Sequence, residues 1–229
     1  MIIWLASYPK SGNIFIRSLL SSYIFSNDGN FESELLKNIE QFPTNALFEH
    51  IGVDTQNEND MFKNYINSQK TYNNGKSVRF LETQSCFVNT KDFKFTDRHN
   101  TLGVIYLVRD PRNVLSSHSK HFQQTLKKSL ENMLRSQYLN KTSKIHCTTY
   151  IGSWKDHYNS WKIFNKFNKF CLIRYEDLIT DTEKTFLKIL RFISHLNQVK
   201  LTINKKKFEN TLMTTTFEKV KKFDPAEIF

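Results

Sequence analysis

Ser7-Tyr8-Pro9-Lys10-Ser11-Gly12-Asn13 places a cation, hydroxyls and a glycine between an apolar run, Met1–Ala6, and a helix-like stretch, Ile14–Ser26. A strand, a tight turn and a helix start present main-chain N–H groups to a phosphate. The Lys10 ammonium adds mobile charge where those donors converge. A second segment suited to anions, Arg109-Asp110-Pro111-Arg112-Asn113-Val114-Leu115-Ser116-Ser117, follows the apolar run Gly103–Val108. Arg109 offers a planar fork to phosphate oxygens. Pro111 suits the first turn of a helix, and Ser117 adds a neutral donor. Taken singly, each segment has an ordinary reading: a surface turn holding Lys and Gly, or a helix start with surface arginines.

The elements that must position these residues are legible as alternating patterns. Ile2–Ala6, Val78–Leu81, Gly103–Val108 and Phe170–Arg174 are short continuous apolar runs, as in a parallel sheet covered on both faces. Between them run helical periodicities. Ile14–Phe25 repeats apolar residues at helical spacing, and Leu126–Tyr138 sets Leu126, Leu130, Met133, Leu134 and Tyr138 on one stripe. Trp154, Tyr158, Trp161 and Phe164 form a third series, and Phe186, Ile189, Leu190 and Ile193 a fourth. The alternation predicts a three-layer α/β/α fold with a central, mainly parallel sheet. Without a linker or an internal repeat, one domain is expected over residues 1–229. Asn27–Asn74 is polar, with weaker helical signals at Phe31–Ile39 and Asn59–Asn67, and reads as an excursion over a ligand site. Ligands of open sheets sit beyond the carboxyl ends of the strands. Ser7–Asn13, Arg109–Ser117 and Tyr175-Glu176-Asp177-Leu178 all fall there.

Lys+Arg 33 against Asp+Glu 22 gives a net charge of +11, so anions should be attracted. Nucleic acid, an acidic membrane and a polyanionic small ligand all satisfy that balance. The densest runs, Lys205-Lys206-Lys207 and Lys219–Lys222, are too short to form a nucleic-acid stripe, so no specific nucleic acid is expected. No stretch resembles a transmembrane span. Cys86, Cys147 and Cys171 lack metal-ligand spacing and read as reduced thiols. The apolar start is too short for a signal peptide and runs directly into the loop. A cytoplasmic protein is the expectation.

A P-loop NTPase would carry G-x-x-x-x-G-K-[ST], but Lys10 precedes Gly12 and no acidic strand end offers an obvious magnesium partner. Ser-Tyr-Pro-Lys-Ser-Gly-Asn instead resembles the 5′-phosphosulfate loop of the cytosolic-type sulfotransferases, notably bacterial members with Tyr-Pro-Lys-Ser-Gly-Asn-Thr-Trp. These enzymes bind 3′-phosphoadenosine 5′-phosphosulfate (PAPS) and release 3′-phosphoadenosine 5′-phosphate (PAP). Arg109–Ser117 is similar to the family's 3′-phosphate signature, with a Ser eight residues after the first Arg. The resemblance covers almost the whole chain in the same motif order. It implies a P-loop-like sulfotransferase fold and metal-free sulfuryl transfer to a small-molecule, glycan or lipid acceptor bearing a hydroxyl or amine. It further implies donor contacts from Lys10, Ser11, Gly12, Asn13, Ile14 and Phe15, with Arg109 and Ser117 on the 3′-phosphate. Tyr175, Thr215 and Phe217 fall at the family's adenine contacts, Phe15 standing where the family has Trp. Gly152, Trp154, His157 and Trp161 fit its Gly-x-Trp-x-x-His pattern, for which packing is the expected role.

Two departures bear on the chemistry. Where the family carries Lys-Thr-His, with His taking the acceptor's proton and Lys holding the sulfuryl group, this chain has Glu82-Thr83-Gln84. Gln84 hydrogen-bonds but is no base near neutral pH. Glu82, a carboxylate beside a polyanionic donor, is the expected base. His118 or His121 is a further option, and PAPS or PAP binding without turnover is the alternative function. The sequence given ends at Phe229 without the family's Arg-Lys-Gly…Gly-x-Trp segment. Lys219, Lys221 and Lys222 are expected to supply part of its charge. The acceptor cleft is expected to be lined by Phe87, the Phe93–Phe95 stretch and the Asn27–Asn74 excursion.

Overall fold

Alternate residues of the first strand point into different cores, and that division organises the molecule. Ile3 and Leu5 join one buried cluster with Ile105, Leu107, Ile173 and the helical residues Leu19, Ile189 and Phe208. Ile2, Trp4 and Ala6 join another with Phe42, Phe48, Tyr65, Phe95, Tyr106 and Trp161. A strand buried on both faces reads as an unbroken apolar run, which is why Ile2–Ala6 was legible.

The computed structural model describes residues 1–72, 77–88, 93–140 and 147–220. In chain order its elements are β1 (Ile2–Ser7), α1 (Asn13–Phe25), β2 (Glu40–Gln41), α2 (Asn45–His50), α3 (Glu58–Lys63), α4 (Tyr65–Tyr72), β3 (Arg79–Thr83), β4 (Thr101–Val108) and α5 (Pro111–His121). There follow α6 (Leu126–Leu134), β5 (Leu139–Asn140), β6 (Thr149–Tyr150), α7 (Trp154–Lys162), β7 (Phe170–Arg174), α8 (Tyr175–Thr180), α9 (Thr182–Leu196), α10 (Lys205–Thr214) and α11 (Phe217–Val220). Turns of 3-10 helix lie at Ser33–Asn38 and Ile163–Phe167. The main sheet has the order β2-β3-β1-β4-β7, and all its pairings are parallel. Its carboxyl ends therefore share one edge, where Ser7, Thr83, Val108 and Arg174 hand over to the loops of interest. The three-layer α/β arrangement agrees with the sequence expectation.

Two expectations need correction. The Asn27–Asn74 excursion, described as far as Tyr72, and the Phe93–Phe95 stretch place most of their aromatics in the core, while Phe87 and Lys94 line a cavity with Thr96, Arg98 and Phe167. Phe42, Phe48, Phe62, Tyr65 and Phe95 are buried, and Phe95 packs on Trp4, Phe42 and Trp161 with ring centroids 5.2–5.5 Å apart. Phe93 stacks on Phe62, and Phe87 packs on Trp161 and Phe164. Aromatic pairs of this kind contribute about 0.5–1.5 kcal/mol each beyond their buried area, so the part of the excursion from Phe42 onward covers one sheet face, whereas Phe31 and Ile39 pack on the other. The stripe expected on α6 also divides: Met133 is buried, whereas Leu126, Leu130 and Leu134 are exposed. Ser129 and Asn132 take the buried positions instead.

Candidate functional site

The loop between β1 and α1 turns through two residues in the left-handed region, Lys10 at φ 66° and Gly12 at φ 99°. Gly12 caps α1 without a side-chain hydrogen bond. The first-turn N–H groups of a helix lack intrahelical partners and carry its positive dipole end. Ser11, Asn13 and Ile14 thus stand around an anion-binding helix start, with Lys10 beside it. Glycine is required at position 12, because a Cβ there would lie 2.5 Å from Tyr175 Cε2 and the backbone is left-handed.

Arg109 leaves the end of β4 and reaches this loop. Its Nη1 donates to the Lys10 carbonyl at 3.1 Å, and its guanidinium lies 4.4 Å from the Tyr175 ring centroid. The two segments read separately as anion-directed are therefore in contact, and Tyr175 touches both. Asp110 caps α5 by accepting from Arg112 N–H at 2.9 Å, and Pro111 occupies the first turn as expected. Arg112 pairs with Asp110 and is otherwise exposed. Glu176 accepts from Asp110 N–H at 2.9 Å, tying the ends of β4 and β7 together. Ser117 is half-buried on α5.

The residues expected at adenine also converge. Phe217 packs edge-on against Phe15 at 6.2 Å and against Tyr175 at 6.4 Å. Phe15 is buried, while Tyr175 and Phe217 keep partial exposure. Phe15 thus supports the ring that the other two present. Thr215 is buried, its hydroxyl donating back into α10 to the Thr211 carbonyl at 2.6 Å, and it precedes Phe217 by two residues. Lys219 is exposed and its ammonium donates to the Met213 carbonyl at 3.1 Å. Lys221 and Lys222 lie outside the described residues.

Near the end of β3, Glu82 is 3% exposed and both of its carboxylate oxygens accept hydrogen bonds. Asn13 Nδ2 donates to Oε1 at 2.8 Å and Arg17 Nη1 to Oε2 at 3.0 Å. Gln84 is half-buried, with its Nε2 3.5 Å from the same Oε1. Its carbonyl faces His157 Nε2 at 3.1 Å, and His157 Nδ1 faces Tyr106 Oη at 2.8 Å. A carbonyl only accepts, so Nε2 carries the proton and Nδ1 accepts from the tyrosine. Burial pushes the His157 pKa down to about 4. Trp161 donates from Nε1 to the Ser85 carbonyl at 2.9 Å. The packing role expected for His157 and Trp161 therefore holds, with the addition that both pin the segment carrying Gln84.

His118 is not a solvated helix-surface residue. It is buried, with Nδ1 3.1 Å from Ser129 Oγ and Nε2 without a partner. Burial, and then the fields of His121 and Lys10, push its pKa down to about 4. Arg17 was missed from sequence, since a single arginine inside an amphipathic helix reads as a solvated face. Its i, i+4 relation to Asn13 was the available signal.

Several buried polar atoms at this sheet edge have no hydrogen-bond partner: Tyr8 Oη, Ser11 Oγ, Asn13 Oδ1, Arg109 Nε and His118 Nε2. Such atoms cost free energy unless a ligand satisfies them; those that can donate, Tyr8 Oη, Ser11 Oγ and Arg109 Nε, fit an anionic ligand at the loop, whereas Asn13 Oδ1 only accepts. Among the described residues, no group of three or more His, Cys, Asp or Glu is placed to hold a metal ion. No helix among them is long and apolar enough to cross a membrane.

Comparison with known proteins gives the same direction. A family model described as a sulfotransferase domain matches residues 2–228. Sulfotransferase 2A1 of Homo sapiens is 35% identical over 92 residues, a stretch that is 39% of this chain and 30% of that relative's length. The backbone is similar to mouse sulfotransferase SULT7A1 complexed with PAP (TM-score 0.60, 18% identity), covering 95% of this chain and 65% of that one. It is also similar to retinol dehydratase in a complex with retinol and PAP (TM-score 0.59, 16% identity), again covering 95% and 65%.

Proposed function

Because this chain belongs to the sulfotransferase domain family, we propose that it transfers a sulfuryl group from PAPS to a hydroxyl or amine of a small-molecule acceptor. The observation that carries this reading is the direct junction of the Lys10 loop with Arg109, sealed by the Tyr175 ring. That contact, from the Arg109 guanidinium to the Lys10 main chain, brings the two anion-directed motifs together and supports a nucleotide with phosphate at both ends of its ribose as the ligand. When bound, PAPS supplies a sulfuryl group on a good phosphate leaving group.

Each residue has a proposed task. Lys10 and the main-chain donors of Ser11, Gly12, Asn13 and Ile14 bind the 5′-end and offset negative charge that grows on the departing phosphate. Arg109 and Ser117 hold the 3′-phosphate. Tyr175 and Phe217 present faces to adenine, backed by Phe15 and Thr215. Gln84, held through its backbone by His157, offers its amide to the acceptor. In the balanced step the acceptor oxygen or nitrogen bonds to sulfur, and the sulfur–oxygen bond to the 5′-phosphate breaks. PAP leaves with that bonding pair, and the acceptor's proton passes to a base or to solvent. A hydroxylated lipid-like molecule is a reasonable first acceptor to assay, by analogy with the retinol complex of the structural relative.

Calorimetry with PAP and a labelled-donor turnover assay test the proposal together. Micromolar or tighter PAP binding and label transfer to a hydroxyl acceptor are expected. Absence of PAP binding would remove the reading. PAP binding without transfer to any acceptor would replace it with a nucleotide-binding protein of the same fold.

A further inference from the structure

Glu82 stands at the one place where the sequence departs most from its family, and its surroundings explain what it does there. Asn13 and Arg17 sit one turn apart on α1 and both reach its carboxylate. A second guanidinium nitrogen, Arg17 Nη2, donates to the carbonyls of Ile39 at 2.7 Å and Leu36 at 3.2 Å, while Nε is buried without a hydrogen-bond partner. Glu82's own carbonyl accepts from Phe42 N–H at 2.8 Å. A single buried ion pair therefore joins the phosphosulfate loop's helix, the end of β3 and the segment entering β2. The side chains of Arg17 and Glu82 are only 16% and 4% exposed.

A carboxylate only accepts hydrogen bonds, so it dictates which end of the Asn13 amide it meets. The NH2 group faces Glu82, and Oδ1, buried and without a partner, is fixed on the other side. The positive charge of Arg17 also cancels that of Glu82, which removes the repulsion a lone carboxylate would impose on a polyanionic donor.

We infer that Arg17 is a positioning residue for the phosphosulfate loop and that Glu82 is its anchor, setting the Asn13 side chain rather than taking the acceptor's proton. This rests on the sulfuryl-transfer reading, and it adds to that reading a residue and a role that the motifs do not contain. Lysine cannot replace Arg17, because only a planar fork serves a carboxylate and two carbonyls at once. Glutamine at 82 keeps the shape and offers its carbonyl to Arg17, but its NH2 group then meets the Asn13 NH2, so the Asn13 amide must reverse to present Oδ1.

The test measures PAP affinity by calorimetry, thermal midpoints, and the pH profile of labelled-donor turnover. The chains are the wild type, Arg17→Met, Arg17→Lys, Glu82→Gln and the double variant Arg17→Met/Glu82→Met. Arg17→Met and Arg17→Lys should each weaken PAP binding about 10-fold or more, in keeping with the cost of misplacing a binding group by about 1 Å. Glu82→Gln should weaken PAP binding through the reversed Asn13 amide, yet at saturating donor lower turnover less than about 10-fold and keep the shape of the pH profile. Loss of a general base would instead cost about 100-fold or more. The double variant should recover the thermal midpoint, since an apolar pair can replace a buried ion pair, but not PAP affinity. It thus gives a readout if Arg17→Met alone fails to fold. Wild-type protein that does not bind PAP defeats the functional reading itself. Wild-type binding with equal affinity in the Arg17 variants overturns this inference alone. So does a Glu82→Gln chain with intact PAP affinity, turnover lost about 100-fold, and the acidic limb of the profile gone.

Discussion

Lys10 combines two properties that substitution can separate. Its ammonium is the cation proposed for the anion site, and its backbone sits in the left-handed region at φ 66°, where side chains are disfavoured. Lys10→Ala should leave the fold intact and lower turnover about 100- to 1000-fold, as removal of one transition-state donor does elsewhere. Lys10→Gly should lose the same activity yet unfold at a higher midpoint, by about 0.5–1 kcal/mol relative to alanine. Turnover and thermal melts on both variants check the pair. At Arg109, lysine keeps the charge but loses the fork and the stacking on Tyr175. Arg109→Lys should therefore weaken PAP binding about 10-fold, measured by calorimetry. Residues of this kind were legible in the sequence because their spacing is local: a cation, a glycine and a helix start within seven positions. Arg17 and Glu82 were not, because their meaning lies in a contact between positions 65 residues apart.

The same distinction governs the elements. Strands buried on both faces announce themselves as apolar runs, and Phe170–Arg174 matches its expected bounds to the residue. The cover built from α2, α3 and α4 gave no such signal. Its helices are 6–8 residues long, too short for a periodic stripe, and their aromatics are spaced by the needs of the core around Trp4. Strand β2 has only two residues, both polar. Helix α8 follows β7 without a loop, so its start at Tyr175 was hidden behind the strand pattern. That abrupt turn is what lays the tyrosine ring on Gly12. Gly12→Ala should expel the ring and strain the loop together, lowering PAP affinity by more than Tyr175→Phe, with calorimetry on both chains as the check.

For the molecule as a whole, buried histidine sets a pH limit. His157 takes up a proton in the folded protein only near pH 4, whereas its ordinary pKa is 6.5. The unfolded chain therefore binds more protons between those values, so stability rises with pH across the window. Acidification from about 6.5 toward 4 should cost on the order of 3 kcal/mol through this residue, and a series of denaturant titrations would show it. Replacing His157 with Phe should reduce that dependence, with His118, also lowered to about 4, retaining its share, and should lower stability at neutral pH because Tyr106 Oη and the Gln84 carbonyl lose their partner. The net charge of +11 acts over longer range. Association with a polyanionic nucleotide should slow as salt shortens the Debye length from about 10 Å at 0.1 M to about 3 Å at 1 M. The placement of the indoles has an optical consequence. Trp4 and Trp161 are fully enclosed in the core on the far side of β1 from Phe15, and Phe15 is the position where an indole would have met the nucleotide base. Ultraviolet emission from these two indoles will therefore follow unfolding, whereas the third, the half-buried Trp154, packs in a cluster with Tyr8 of the loop and Val114 of α5 and is the indole placed to register nucleotide arrival.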